Sequence, residues 1–227
     1  MINPSPDHHS GAGPTMLDAI DPDIRQRLTS RRGLFAEAAA KLGAAATIPA
    51  VLAVASTEAL GQGLPSGIAD VLTFALTLEY LEAEFYRTAL GTPGLIPARF
   101  RPAFAQIGKH EVEHVRTLRG ALGPAAIASP RFDYTGGGQF PGVFSNFETF
   151  AAVSSTFEDL GVAAYKGQAP FLLGTPTLTV ALRIHSVEAR HAAEVRRMRG
   201  LVGFDGAFDA PKTKAEVLAA AGPFIAG

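Results

Sequence analysis

His185-Ser186-Val187-Glu188-Ala189-Arg190-His191-Ala192-Ala193-Glu194-Val195 is the stretch on which the fold turns. Glu188 and His191 stand three residues apart, which on an α-helix puts both side chains on one face, a turn apart. A carboxylate and an imidazole so placed are what a helical bundle offers to one metal ion. Alone the pattern is weak, because Glu and His meet at that spacing by chance in many helices. Here it recurs. Lys109-His110-Glu111-Val112-Glu113-His114-Val115-Arg116 sets Glu111 and His114 at the same interval.

A second element precedes each copy. Thr77-Leu78-Glu79-Tyr80-Leu81 leads to Tyr86, and Thr156-Phe157-Glu158-Asp159-Leu160 leads to Tyr165. In both, a Glu sits seven residues before a Tyr, two helical turns along one face. Glu79 precedes Glu111 by 32 residues and Glu158 precedes Glu188 by 30. The chain therefore reads as a Glu helix, a Glu-x-x-His helix, and the same pair again. One Glu from each of two helices, with Glu-x-x-His from two others, is the ligand set of a dinuclear carboxylate site.

These residues resemble those of the ferritin-like domain proteins, in particular the bacterial branch related to plant desiccation-related proteins. The resemblance is carried by Leu78-Glu79-Tyr80-Leu81-Glu82-Ala83-Glu84-Phe85-Tyr86, by Glu111-Val112-Glu113-His114, by Phe157-Glu158-Asp159-Leu160-Gly161-Val162-Ala163-Ala164-Tyr165 and by Val187-Glu188-Ala189-Arg190-His191. It covers roughly residues 67–201. It implies an all-α, antiparallel four-helix bundle with metals between the helices. By the same resemblance Glu111 and Glu188 would bridge two metals. Glu79 and Glu158 would be terminal carboxylates, and His114 and His191 terminal imidazoles.

Composition agrees with such a site. Four carboxylates balance the charge of two divalent ions, whereas four glutamates facing one another without metal would repel and be costly to desolvate. The 227 residues include no cysteine, which excludes disulfides, thiolate ligands and cysteine nucleophiles. Glu, Asp and His remain as donors, which suits two iron or manganese ions better than a structural zinc. Formal charge is −1 at pH 7, so nothing suggests a nucleic-acid or acidic-lipid partner. Of six histidines, His8 and His9 lie near the start, and His110, His114, His185 and His191 all fall on the two Glu-x-x-His segments.

Taken in order, residues 1–60 read as a leader. Ser30-Arg31-Arg32-Gly33-Leu34-Phe35, an apolar run over 42–55 and the small residues Ala53-Val54-Ala55 form a twin-arginine export pattern. This points to the periplasm, or to the cytoplasm if the leader is not used. The run has 14 residues and carries Pro49, too short and interrupted for a stable membrane span. The bundle is expected over 61–205, with helices at 66–90, capped by Ser66, at 99–122, at 146–167, capped by Asn146, and at 175–200. Between the second and third, Pro124 to Asn146 is Gly/Pro-rich and without helical period. A segment that long suits the one long crossover of a ferritin-like bundle. The tail, 206–227, holds a short amphipathic segment at 213–221, and β-alternation of useful length is absent.

Some positions keep two readings. Glu82, a turn after Glu79, is a seventh ligand or an acceptor behind the ligands, and its counterpart in the second half is Gly161. His110 and His185 lie beside the ligands or on the surface. Tyr86 and Tyr165 hydrogen-bond the glutamates, supply an electron, or sit as satisfied core tyrosines. Glu84, Glu113 and Arg190 should be solvated. The 66–90 helix is apolar on so much of its circumference that it implies a subunit contact, hence a homo-oligomer, or cover from the crossover. The functional expectation is a metal-binding protein that reacts with oxygen or peroxide in stress protection, as a ferroxidase or peroxidase-type oxidoreductase. The alternatives are a desiccation-related structural bundle without redox activity and a subunit of an iron-storage cage.

Overall fold

The computed structural model describes residues 64–204 and 206–226. The leader expected over 1–60 lies outside the described residues. Four long helices follow: α1, Ser66–Gly91; α2, Arg101–Leu122; α3, Phe147–Gln168; and α4, Pro176–Met198. A short α5, Lys214–Ala221, comes near the C-terminus.

The helix starts have local causes. Asn146 accepts a hydrogen bond from the Thr149 amide at 2.9 Å and caps α3. Proline opens α4 and stands in the first turn of α2, where its missing N–H costs nothing. Thr213 and Glu216 form a reciprocal capping box on α5. At α1 the expectation fails. Pro65 holds the capping position, and Ser66 is already helical and makes no capping bond.

Side-chain contacts fix the directions of the helices. Tyr86, late in α1, meets Ser154, early in α3, while Glu79 meets Tyr165 near the end of α3. Hence α1 and α3 run antiparallel. By the same logic, α1 and α2 are antiparallel, with Gly108 against Tyr86 and His114 against Glu79. The pair α3 and α4 is also antiparallel, with Glu158 against His191 and Gly161 against Glu188. Two helices antiparallel to a common neighbour are parallel to each other, so α2 and α3 point the same way. The chain between them must travel the length of a bundle whose 22-residue helices span roughly 33 Å. That requirement explains the long crossover.

Tyrosines on both sides pin the crossover. Tyr80 donates to the Ile127 carbonyl at 3.1 Å, and Tyr134 donates to the Leu81 carbonyl at 3.0 Å. Two short strands, β1 (Arg131–Phe132) and β2 (Ile225–Ala226), pair antiparallel, with Arg131 opposite Ala226 and Phe132 opposite Ile225. They tie the crossover to the C-terminus and are too short to leave an alternation in sequence.

The broad apolar surface of α1 is covered on one side from within the chain. Phe74, Leu78, Leu81 and Phe85 pack against Val143 of the crossover, against Phe150 and Phe157 of α3, and against Val217, Ala221 and Phe224 of the C-terminal stretch. Crossover and C-terminus supply the cover. A strap leads to α5, with the Lys212 amide donating to the Ala163 carbonyl at 3.0 Å. It lies so close to α3 that a Cβ at Gly167 would stand 1.8 Å from the Lys212 carbonyl oxygen, so only glycine fits there. Among the described residues no helix is long and apolar enough to cross a membrane.

Candidate metal centre

The helices deliver six side chains to the middle of the bundle: Glu79 from α1, Glu111 and His114 from α2, Glu158 from α3, and Glu188 and His191 from α4. All six are buried, with Glu111, Glu158 and Glu188 wholly inaccessible. They form two groups whose donor atoms lie within 4.8 Å of one another: Glu79, Glu111, Glu188 and His114, and Glu111, Glu158, Glu188 and His191. Glu111 and Glu188 belong to both groups. Every residue expected as a ligand is brought together.

Each histidine presents Nδ1 to three carboxylates. His114 Nδ1 lies 2.9 Å from Glu111 Oε2, 3.1 Å from Glu188 Oε1 and 3.2 Å from Glu79 Oε2. His191 Nδ1 lies 2.9 Å from Glu111 Oε1, 3.3 Å from Glu158 Oε2 and 3.9 Å from Glu188 Oε1. One N–H cannot serve three acceptors. Separations near 3 Å are, however, the donor-to-donor spacing around a small divalent ion with bonds of roughly 2 Å.

Hydrogen bonding tests the fit more sharply. Glu111 Oε1, Glu158 Oε2, both oxygens of Glu188 and His191 Nδ1 are buried without a hydrogen-bond partner. The approach of His191 Nδ1 to Glu111 is close but misdirected for N–H···O. Such orphaned groups are rare in native interiors and costly. Five such atoms in one buried cluster, all hard oxygen or imidazole donors, fit the binding of metal ions.

Protonation tells the same story for the metal-free centre. Burial raises the pKa of Glu188 well above the ordinary value, and Glu111 and Glu79 add to the rise. Burial also raises Glu111, to about 7, although the hydrogen bond from His114 and the nearby His191 ring oppose it. For His191 burial disfavours the charged ring, yet Glu111 and Glu158 hold the proton and raise the pKa to about 10. His114 is likewise raised, by Glu79, Glu111 and Glu188 against the effect of burial.

The tyrosines brace Glu79 and Glu158 crosswise. Tyr165 of α3 donates to Glu79 Oε1 of α1 at 2.5 Å, and Tyr86 of α1 donates to Glu158 Oε1 of α3. Ser154 Oγ lies 2.6 Å from the Tyr86 hydroxyl oxygen and donates to it, since the phenol proton is already committed to Glu158. Burial, reinforced by these glutamates, raises both tyrosine pKa values, so both rings keep their protons. Sequence reasoning missed Ser154, although its place one turn before Glu158 was a usable signal.

Glu82 is buried, and its pKa is raised well above the ordinary range, first by burial and then by Glu188 and Glu158. Its space comes from Gly161. A Cβ there would lie 2.9 Å from Glu188 Oε2 and 3.5 Å from Glu82 Oε1. Gly161→Ala should therefore separate folding from binding. Ala in a helix interior gains roughly 0.5–1 kcal/mol over Gly, so the metal-free melting temperature should hold or rise. Metal affinity should fall, because the shared Glu188 carboxylate is displaced. Calorimetric melting beside a Mn(II) titration checks both halves, and unchanged affinity would remove Gly161 from the site.

The described histidines outside the two groups, His110 and His185, divide. His110 contacts His191, with His110 Nδ1 at 2.8 Å from His191 Nε2. His185 does not reach the centre. Its charged neighbours are Asp209 and Lys166, and its pKa is lowered by burial. Glu84 and Glu113 pair with Arg87 and Arg116 on the helix exteriors, and Arg190 is exposed, as expected. A groove of about 710 Å³, lined in part by Pro65, Ile68, Val71, Lys166, Phe171 and Lys212, contains none of the centre's residues.

Comparison with known proteins agrees with this geometry. No curated protein matches the chain. The family model of the ferritin-like domain matches residues 67–201, more than half of the sequence, a span that carries all six of these side chains. With the fold, the paired Glu-x-x-His helices and the buried carboxylates in one place, the chain belongs to the ferritin-like domain family.

Proposed function

We propose that the centre holds two iron or manganese ions and that the protein oxidises Fe(II) or reduces oxygen or peroxide in protection against stress. The observation that carries this reading is the convergence of buried oxygen and nitrogen atoms without hydrogen-bond partners. Glu111 and Glu188 would be shared by the two ions, with Glu79 and His114 on one and Glu158 and His191 on the other. Bound iron or manganese would supply the one-electron chemistry toward oxygen or peroxide.

The chain itself sets the conditions. Tyr86 and Tyr165 hold Glu158 and Glu79 in orientation and keep their own protons. Phe85, Phe104 and Phe150 pack around Tyr86 and exclude water from that side. Glu82 is a buried acid that retains its proton while the centre is metal-free, and with Glu188 it occupies the space left by Gly161.

The test is anaerobic loading with Fe(II), followed by oxygen or peroxide, with absorbance and reductant consumption recorded. His191→Ala should lower metal content and turnover together, by more than the roughly 100-fold that a change behind a ligand costs. His185→Ala should change both far less, because His185 faces Asp209 and Lys166 instead. If wild type binds two ions yet oxidises Fe(II) no faster than His191→Ala, the redox reading is wrong and the bundle is a structural scaffold.

A further inference from the structure

The two halves of the centre are related by a pseudo-twofold that maps Glu111 onto Glu188 and His114 onto His191. Behind the ligands the relation breaks. His110, one residue before Glu111, corresponds to Val187, and Gln106 corresponds to Arg183. Among the described residues, His191 alone of the two has an imidazole from the facing helix behind it. His110 Nδ1 lies 2.8 Å from His191 Nε2. The ring centroids are 5.1 Å apart with planes 14° from parallel, the geometry of an edge-on N–H···N bond. His110 Nε2 lies in turn 2.7 Å from the Gln106 side-chain amide, which is exposed.

Proton counting gives this row a direction. His191 Nδ1 is the atom turned to Glu111 and Glu158, so Nδ1 must offer its lone pair to a metal. The ring proton then sits on Nε2 and is donated to His110 Nδ1. His110 in consequence carries its own proton on Nε2 and needs an acceptor there, which is the Gln106 amide oxygen once the amide is turned about. Ligating histidines generally hold their other N–H against a fixed acceptor, which sets tautomer and ring orientation. A neutral imidazole in that role leaves His191 a neutral ligand.

We infer that His110, steadied by Gln106, is a positioning residue for one metal position only, the one built on His191 and Glu158, so that the two positions of the centre are inequivalent. This rests on the reading of the centre as a two-metal site. The row also ties the buried ligand to the surface of α2.

The experiment uses the full chain, titrated with Zn(II) by calorimetry and then observed by ¹⁵N NMR of its histidine rings. Wild type should take up two ions, with a protected proton on His191 Nε2 coupled to His110 Nδ1. His110→Ala should weaken one of the two binding events by about 10- to 100-fold and leave the other unchanged. His110→Asn, whose Oδ1 restores an acceptor near Nδ1, should recover most of the loss. Val187→Ala, the equivalent truncation on the other side, should weaken neither event. Equal weakening of both events by His110→Ala, no weakening, or a Zn(II)-loaded His191 without the Nε2 proton overturns the inference. Wild type that takes up no Zn(II) sinks the reading of the centre itself; wild type that takes up two while His110→Ala matches it sinks only this inference.

Discussion

Glu111→Gln or Glu188→Gln is expected to abolish metal binding at the proposed two-ion centre while leaving the helices folded. Glu111 Oε1 and Oε2 lie 2.9 Å from the Nδ1 atoms of His191 and His114 respectively, so one carboxylate spans both positions. Glu188 is the other residue common to both groups. The amide keeps the volume of the side chain, so no cavity opens, but it removes a negative charge and an anionic donor from both ions at once. Three carboxylates would then face four units of positive charge in a buried space, where unbalanced charge is strongly unfavourable. The loss should exceed the roughly 100-fold typical of changes behind a ligand. The metal-free Glu188→Gln variant should melt no lower than metal-free wild type, because burial already holds a proton on Glu188 and Gln is its neutral isostere. Metal titration with melting curves measures both, and a variant that keeps two ions at wild-type affinity would remove Glu111 or Glu188 from the site.

The second large effect is the opposed response of the metal-free and metal-loaded forms to pH. Glu111 rises from an ordinary 4.5 to about 7 on folding. A carboxyl that holds its proton more tightly when folded stabilises the fold below its unfolded pKa. That contribution fades as pH climbs through the folded value. His191 rises from 6.5 to about 10, so its contribution is complete below pH 6.5 and is lost on the way to about 10. Glu188 and Glu82, both raised by burial, act in the same direction as Glu111. Metal-free protein should therefore lose stability steadily between about pH 5 and pH 10, by a few kcal/mol.

Metal binding needs deprotonated ligands and so strengthens over the same range. With free metal at about 100 times Kd, each site contributes about 2.7 kcal/mol. For a chain of this size the two together raise the melting temperature by roughly 10 to 20 °C. Melting with and without Mn(II) near pH 6 and pH 9 should show a gap that widens at the higher pH. A metal-free melting temperature that rises with pH, or a gap that closes, would contradict the assignment of these groups to one buried cluster.

What could be read from sequence was whatever helix geometry fixes locally. Glu188 with His191 and Glu111 with His114 are neighbours because residues three apart share a face, and that holds before any tertiary contact forms. The Asn146 cap and the need for a long crossover are local or topological facts of the same kind. Contacts between helices depend on how each is rotated about its axis, which spacing alone does not specify. His110 therefore stayed ambiguous until α2 and α4 were set side by side, since its partner His191 is 81 residues away. Glu82 stayed ambiguous because its burial depends on the space beside Gly161 on a different helix. The cover over Phe74, Leu78, Leu81 and Phe85 was legible as a need but not by source, and Val217, Ala221 and Phe224 come from the far end of the chain. Ser66 shows the limit of local reading, since a good capping residue lost its position to the proline before it.

The most direct measurement of the central claim is the metal content per chain of protein purified without chelator, determined by elemental analysis for wild type and for the Glu111→Gln, Glu188→Gln double variant. The account predicts two first-row transition-metal ions per chain in wild type and none in the double variant. Wild type without stoichiometric metal after loading with Fe(II) or Mn(II), or a double variant that retains two ions, would contradict it.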